Sequence, residues 1–281
     1  MMQAVFQSEV LSSSLIRITL PGDVYAYLIM GSSRALLVDT GYGYGDLKSF
    51  VGTLTDLPYD VVLTHGHLDH APGAGQFRSV YMNLKDRDIY SLHADPEVRL
   101  SGMRSPYSQS EPADPSLLQT APSADFFLSL ETHPVFDLGG LHVQAVPLPG
   151  HTPGGTVLLL REPRILIAGD MLCSMTLLSL PFALSVEEYL ESLQSFHDGF
   201  SGTFDQVLYS HPHNKGGKEI LGDMIRLCEE ILAGKDDHLE SAMGPGPGRL
   251  GKRMGRDLLP EDGSSANLIY LVDHIRKAAA T

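Results

Sequence analysis

The segment LTHGHLDHAPGAG, residues 63–75, is the most informative part of this sequence. It places four metal-binding side chains, His65, His67, Asp69 and His70, within six positions directly after an apolar run. Because side chains alternate between the two faces of an extended segment, His65 and His67 can bind one ion together. The chain must turn before the other two join, and a turn into a following helix would direct them at a second ion. Imidazole and carboxylate ligands suit Zn²⁺, Fe²⁺ or Mn²⁺.

Four candidate ligands stand at the ends of predicted strands. His65, His151, Asp170 and His211 each follow, within a few residues, a short apolar run typical of a strand. These runs are YDVVL (59–63), LHVQAVP (141–147), RILIA (164–168) and QVLYS (206–210). Strand ends on one edge of a sheet converge, and the loops there hold side chains on a rigid frame. We therefore expect these separate segments to contribute to one pocket.

Hydrophobic patterns between these strands predict further elements. Residues 24–30 and 35–39 are apolar runs joined by a short polar turn, which predicts a β-hairpin. Ser185 and Glu188 form a capping box that predicts the start of a helix. Helical patterns also cover residues 46–55, 84–93 and about 218–233. The order of strands and helices indicates an α/β sheet with helices packed on it.

These motifs resemble those of a known family. The stretch HGHLDH (65–70) resembles the His-x-His-x-Asp-His signature of the metallo-β-lactamase superfamily, and four further segments match that family in chain order. They are VDTG (38–41), GHTPG (150–154), GD (169–170) and SH (210–211). The resemblance spans most of residues 20–215 and implies the family's α/β fold, a four-layered αββα sandwich with a dinuclear metal site along its edge. We accordingly expect residues 1–281 to form a single metallo-β-lactamase-like domain.

The resemblance also implies a role for each matching residue. A first metal ion would be held by His65, His67 and His151, and a second by Asp69, His70 and His211, with Asp170 bridging the two. Catalytic roles fall to Asp69 and Asp170, and Asp39 would orient a ligand, for which a carboxylate at a buried strand end is suited. We prefer His211 as the last ligand, although a shift of register would give that place to His213. With His211 as the ligand, His213 would contact the substrate or another ligand. Cys173, three residues after Asp170, is a further candidate near the pocket, and a buried inert cysteine is the more frequent case.

For the reaction, the resemblance implies two divalent ions, Zn²⁺ first and Fe²⁺ or Mn²⁺ as alternatives. Such ions lower the pKa of bound water from about 16 to about 7, so that a hydroxide between them can attack a carbonyl. In antibiotic-degrading members, a cysteine commonly takes a ligand position near the bridging aspartate. In this sequence that position is Asp170. The sequence therefore resembles the glyoxalase II-like and lactonase-like branches more closely. We therefore predict a hydrolase of a thioester, ester or lactone. The alternatives are a phosphodiesterase with the same centre and an iron-dependent redox enzyme of the same fold.

Composition limits the partners and the location. The 20 Lys and Arg residues against 34 Asp and Glu leave a formal charge of −14, which argues against nucleic acid and anionic membranes as partners. Two cysteines are too few for a disulfide framework or a thiolate-rich zinc site. The N-terminus lacks a signal-peptide pattern, and no apolar run approaches the ~20 residues that span a bilayer. We expect a soluble, cytoplasmic enzyme that acts on a small molecule, and the sequence indicates no particular oligomer.

Two segments carry features that the metal signature does not explain. Residues 96–134 are rich in proline, which predicts an insertion outside the core, either a lid or binding loop or a surface loop without a role. Residues 243–256, MGPGPGRLGKRMGR, are rich in glycine and locally basic. Their basic side chains are Arg249, Lys252, Arg253 and Arg256. These side chains either recognise a carboxylate or phosphate of the substrate or belong to a solvated loop. We interpret the histidines outside the pattern as structural, namely His93, His133, His142, His197, His238 and His274.

Overall fold

The computed structural model describes residues 5–103, 114–212, 217–242, 247–256 and 259–278. The chain divides into two compact units, the first formed by residues 1–145 and 210–212 and the second by residues 146–209 and 213–281. The single-domain organisation inferred from the sequence stays a prediction. Within the described residues, no helix combines the length and the apolar character needed to cross a membrane. The cytoplasmic location also stays a prediction.

The first unit contains a seven-stranded sheet whose strands lie side by side in chain order. The strands are β1 (Gln7–Ser12), β2 (Leu15–Leu20), β3 (Val24–Met30), β4 (Ala35–Val38), β5 (Tyr59–Val62), β6 (Val80–Met82) and β7 (Leu128–Ser129). Strands β1 to β4 pair antiparallel, and β4 to β7 pair parallel. The predicted hairpin of β3 and β4 is confirmed. Strands β1 and β2, which precede this hairpin, were not predicted from the sequence.

Helices and one further hairpin complete the first unit. The α-helices are α1 (Leu47–Val51), α2 (Arg87–His93) and α3 (Pro96–Met103), and the 3₁₀-helices are Pro72–Gln76, Leu84–Asp86, Pro115–Leu117 and Ala124–Phe126. Strand β8 (Val135–Asp137) pairs antiparallel with β9 (His142–Pro147). Asp46 is the N-cap of helix α1, and its carboxylate accepts a hydrogen bond from the backbone N of Ser49. The predicted helix at 46–55 therefore forms, but it is shorter than the pattern suggested.

The expectation that residues 96–134 lie outside the core is wrong for a few side chains in the described part of this segment. Arg99, Met103 and Phe127 are buried, and the last two belong to the apolar core of the first unit. Strand β7 adds to the sheet by pairing with β6. The prolines restrict the segment to short elements, as expected, but short elements with buried side chains still contribute to a core. Residues 104–113 of the segment lie outside the described residues.

The second unit contains two smaller sheets and two long helices. Its elements are β10 (Thr156–Leu160), β11 (Ile165–Gly169), β12 (Thr176–Leu178), α4 (Val186–Phe200), β13 (Gln206–Tyr209), α5 (Ile220–Leu232), β14 (Leu239–Ser241), β15 (Gly248–Leu250) and β16 (Leu268–Leu271). Strand β11 pairs antiparallel with β10 and parallel with β13, and a four-stranded sheet has the order β12-β16-β15-β14. The predicted capping box of Ser185 and Glu188 is present at the start of α4.

The core of the second unit lies where the apolar faces of its helices meet its strands. Leu193 of α4 and Met224 of α5 are fully buried in one cluster with Leu166 of β11. All five residues of β10 and all five of β11 are buried, which explains their continuous apolar runs. This packing holds the end of β11, where Asp170 follows, on a rigid base.

Candidate metal centre

Asp39 is a buried hydrogen-bond acceptor at the end of β4. Its backbone has a φ of +65°, which Asp tolerates better than most residues, and its side chain is almost fully buried. Its Oδ1 accepts from the backbone N of Thr64 at 2.7 Å, and its Oδ2 accepts from Thr64 Oγ1 at 2.8 Å. The Nδ1 of His70 lies 2.9 Å from the same Oδ2. The carboxylate thus contacts both ends of the 64–70 segment.

These contacts determine where the protons of two histidines lie. A carboxylate only accepts, so His70 must carry its proton on Nδ1. Thr64 donates its single hydroxyl proton to Asp39, so its oxygen accepts from His65 Nδ1, 3.0 Å away. In the neutral rings the lone pairs of His65 and His70 are therefore on Nε2, the form in which an imidazole can bind a metal. The lone pair of His65 faces His67 Nδ1 at 3.0 Å.

The turn between His65 and His67 is held in place by Asp86. Gly66 N donates to Oδ2 of the fully buried Asp86 at 2.9 Å. A Cβ at Gly66 would come within 2.9 Å of the backbone oxygen of Asp86, so a larger residue would displace the turn. Both histidine rings are buried and approach each other edge to face, with centroids 4.7 Å apart. This turn holds the rings of two candidate ligands side by side, and their binding of one ion stays a prediction.

Asp69, His70 and His211 converge within the first unit. Their nearest ligand atoms all lie within 4.8 Å of one another. Asp69 Oδ2 is 3.5 Å from His70 Nε2 and 3.5 Å from His211 Nε2. His70 is fully buried, whereas the side chains of Asp69 and His211 are 20% and 16% exposed. The cluster therefore has a buried side and a side that solvent reaches.

The residues of this cluster fit a metal ion. His211 Nδ1 lies 3.1 Å from the carbonyl oxygen of Asp23, which only accepts, so the neutral ring presents its Nε2 lone pair to Asp69, as His70 does. Three acceptors then face one another, an arrangement that a shared cation stabilises. Metal–ligand bonds of 2.0–2.2 Å in a tetrahedral site separate neighbouring ligand atoms by roughly 3.3 Å. The 3.5 Å separations match that spacing better than they match hydrogen bonds.

His151 and Asp170 show the same arrangement within the second unit. His151 Nδ1 lies 2.7 Å from the carbonyl oxygen of Leu177 on β12, so its neutral ring carries the lone pair on Nε2. That Nε2 is 3.9 Å from Asp170 Oδ2. Gly150, before His151, lies against Tyr189, and a Cβ there would come within 2.1 Å of the tyrosine ring. The second unit thus presents one imidazole and one carboxylate as a pair of candidate ligands.

The remaining candidates are in less reactive surroundings. Cys173 is buried, and its thiol donates to the carbonyl oxygen of Met175 at 3.2 Å. Burial, and after it the negative charge of Asp170, raises the pKa of this thiol to about 12, so the sulfur is protonated near neutral pH. This agrees with the interpretation of Cys173 as an inert buried cysteine. His213, the alternative last ligand, lies outside the described residues.

Two further sequence interpretations are modified by the structure. His93, interpreted as structural, lies against the candidate ligand His67 with ring centroids 5.0 Å apart. In the basic segment, Lys252 forms ion pairs with Glu230 and Asp262. Strand β15 lies within residues 243–256. The alternative of a solvated loop therefore does not hold for this part of the segment. Recognition of a substrate anion by the basic side chains stays a prediction.

Comparison with known proteins identifies the family. Residues 19–202 match the model of the family described as the metallo-beta-lactamase superfamily, which is more than half of the chain. The chain belongs to the metallo-beta-lactamase superfamily. Among solved structures, the metallo-beta-lactamase from Pontibacter korlensis aligns with a TM-score of 0.56 and 18% identity over 80% of this chain and 99% of that one. This likeness confirms the predicted fold class, an α/β fold of the metallo-β-lactamase type.

Relatives in the metallo-beta-lactamase superfamily include thioesterases. The acyl-coenzyme A thioesterase MBLAC2 of Gallus gallus is 25% identical over 217 residues, which cover 69% of this chain and 74% of the relative. The atrochrysone carboxyl ACP thioesterase of Aspergillus fumigatus is 25% identical over 173 residues, 60% of this chain and 45% of the relative. Family membership and the names of these relatives support a metal-dependent hydrolase.

Sequence reasoning missed the groups that orient the ligands. Thr64 connects Asp39 to His65, and its position directly before the first histidine was the available signal. The acceptors for His151 and His211 are backbone carbonyl oxygens of Leu177 and Asp23. Any residue type supplies such an atom, so the sequence contains no signal for it.

Proposed function

We propose that this metal-dependent hydrolase cleaves acyl thioesters of small molecules at a centre of two metal ions. The observation that carries the proposal is the arrangement around Asp69, where the lone pairs of His70 and His211 face one carboxylate at 3.5 Å. The thioesterase names of relatives that align over much of the chain favour a thioester over an ester or a lactone. Zn²⁺ is the proposed ion, because imidazole and carboxylate together suit it, with Fe²⁺ and Mn²⁺ as alternatives.

The proposed ligand set consists of the seven residues that match the family's metal-binding motifs. They are His65, His67, Asp69, His70, His151, Asp170 and His211. When bound, two such ions supply an acidified water and polarise a carbonyl oxygen. Asp39 keeps the Nε2 atoms of two of these ligands free of protons, and Asp69, partly exposed, is placed to accept a proton at Oδ2 from a group that enters from solvent.

Metal analysis and a substrate panel test the proposal together. We expect the purified protein to contain about two ions per chain and to hydrolyse acyl-coenzyme A thioesters faster than lactones, simple esters or phosphodiesters. Asp170→Ala should lower the thioesterase activity by at least about a hundredfold, since loss of a ligand costs no less than loss of its hydrogen-bond partner. The conservative change at an exposed site, Asp56→Asn, serves as the control.

Three outcomes contradict this function. One ion or none per chain would refute the dinuclear centre, as would Asp170→Ala with full activity and full metal content. Hydrolysis of phosphodiesters in preference to thioesters would keep the centre and change the substrate class. These outcomes are separable, because metal content is measured without substrate.

A further inference from the structure

Phe182 is a large apolar side chain that the second unit leaves exposed. Its relative exposure is 46%, although the chain from Met171 to Ala183 is otherwise mostly buried. Its backbone has a φ of +69°, in the left-handed region that bulky residues rarely adopt. An exposed apolar residue alone is unremarkable. The combination of exposure and an unfavourable backbone conformation indicates that folding does not account for a phenylalanine here.

The loop that carries Phe182 is attached to the loop that carries His151. His151 Nδ1 hydrogen-bonds to the carbonyl oxygen of Leu177, five residues before Phe182, at 2.7 Å. Two residues after Phe182, the backbone N of Leu184 donates to the carbonyl oxygen of Gly150 at 2.8 Å. Between Leu177 and Leu184, the backbone N of Ala183 donates to the carbonyl oxygen of Leu180 at 3.2 Å and closes a turn. The aromatic ring is thus held on a loop that is fixed on both sides to the segment of a candidate ligand.

A ring on this loop offers an apolar contact next to the segment that carries His151. The nearby segment supplies candidate ligands, His151 and Asp170, which act on the polar part of a substrate. A substrate whose reacting carbonyl meets these ligands would extend its other parts over the adjoining loop. An aromatic side chain there favours an apolar extension over a polar one, because burial of apolar surface is the favourable term.

We propose that Phe182 binds the hydrocarbon chain of the acyl group and so makes longer acyl thioesters the preferred substrates. This inference rests on the proposed thioesterase function and specifies its substrate class. In this role Phe182 contacts the hydrocarbon chain of the substrate and not the scissile bond. Its removal should therefore act mainly on the preference for chain length.

The test compares acetyl-, octanoyl- and palmitoyl-coenzyme A as substrates. Phe182→Gly removes the ring and suits the positive φ, so it should fold with an unchanged or higher unfolding temperature. We expect it to lower the ratio of kcat/KM for palmitoyl- over acetyl-coenzyme A about tenfold, mostly through KM, since the contact of about two buried methylene groups is lost. Phe182→Leu keeps an apolar side chain and should lower the ratio only about two- to threefold. Val272→Ala, which changes another exposed apolar residue of the same unit at 38% exposure, is the matched control.

A second measurement does not depend on turnover. Binding of a palmitoyl coenzyme A thioether, which lacks the carbonyl, should weaken in Phe182→Gly by a similar factor and remain unchanged in Val272→Ala. An unchanged chain-length ratio in Phe182→Gly, with the wild type active on thioesters, would overturn the role of Phe182 and leave the proposed function intact. A wild type inactive on all three thioesters overturns the proposed function and the acyl-chain assignment with it.

Discussion

At the scale of single residues, Asp39 determines which nitrogen of two candidate ligands carries a proton. The Asp39→Asn variant replaces one acceptor by an NH₂ donor, and its remaining oxygen is required by the fixed backbone N–H of Thr64. The new NH₂ group then faces His70 Nδ1 and Thr64 Oγ1, which reverses both hydrogen bonds. The protons of His65 and His70 move to Nε2, where a metal would bind. We expect the metal affinity to fall about 10- to 100-fold, measured by competition with a chelator.

The control for this prediction is Asp56→Asn, which makes the same change at an exposed site of the same unit. Asn also tolerates the positive φ at residue 39, so the variant should fold. Circular dichroism would verify this. A folded Asp39→Asn protein with wild-type metal affinity would show that Asp39 does not control the protonation of the ligands.

The same residues explain how far the candidate site could be predicted from sequence. Metal ligation requires particular side chains, so the histidines and aspartates were visible as residue types, and Asp39 was visible through its place at a strand end. The groups that orient His151 and His211 are backbone carbonyl oxygens, which every residue has. Their positions depend on the fold of distant segments, so no local pattern reveals them.

At the scale of elements, helix α3 holds the turn that follows β4. Arg99 on α3 is 1% exposed, and its Nη1 donates to the carbonyl oxygens of Tyr42 and Gln119, both at 3.0 Å. The backbone of Gln119 in turn donates to Gly43 at 2.7 Å, so the guanidinium joins two segments that also pair directly. One turn later, a Cβ at Gly102 would come within 2.3 Å of Leu68, which lies between the candidate ligands His67 and Asp69.

We predict that Arg99→Met lowers the free energy of unfolding by about 2–4 kcal/mol. One buried and one partly buried carbonyl oxygen lose a donor, and a buried group that loses its partner costs about 1–3 kcal/mol, while the methionine recovers part of the packing. Urea unfolding followed by circular dichroism measures the change. Arg78→Met, at an exposed arginine of the same unit, should change the stability by less than about 0.5 kcal/mol. Equal stabilities for the two variants would refute the role of Arg99.

Helix α3 also shows which buried residues a hydrophobic pattern does not predict. The apolar runs predicted β3, β4, β5 and β11 because burial on a sheet leaves a local hydrophobic signal. Arg99 leaves no such signal, since a charged residue in a proline-rich stretch has the composition of a surface loop. Its burial depends on the carbonyl oxygens of Tyr42 and Gln119, so the sequence pattern did not reveal that this side chain is buried.

At the scale of the whole molecule, the formal charge of −14 complicates any measurement of metal binding. Divalent cations weaken the self-repulsion of an acidic protein without occupying a specific site. A nitrogen-rich centre distinguishes between ions, because Mg²⁺ prefers oxygen ligands whereas imidazole suits Zn²⁺. A comparison of these two ions at equal concentration therefore separates a specific site from general charge neutralisation.

We predict that Zn²⁺ at a hundredfold excess over its dissociation constant stabilises the metal-free protein by about 2.7 kcal/mol, and that Mg²⁺ has a much smaller effect. For a chain of this size the unfolding temperature should rise by roughly 5–10 °C, which differential scanning calorimetry detects. His211→Ala, which removes the more exposed histidine of the Asp69 cluster, should reduce the rise with little effect on the metal-free protein. Equal stabilisation by both ions, or a full Zn²⁺ effect in His211→Ala, would mean that the cluster around Asp69 does not bind the metal.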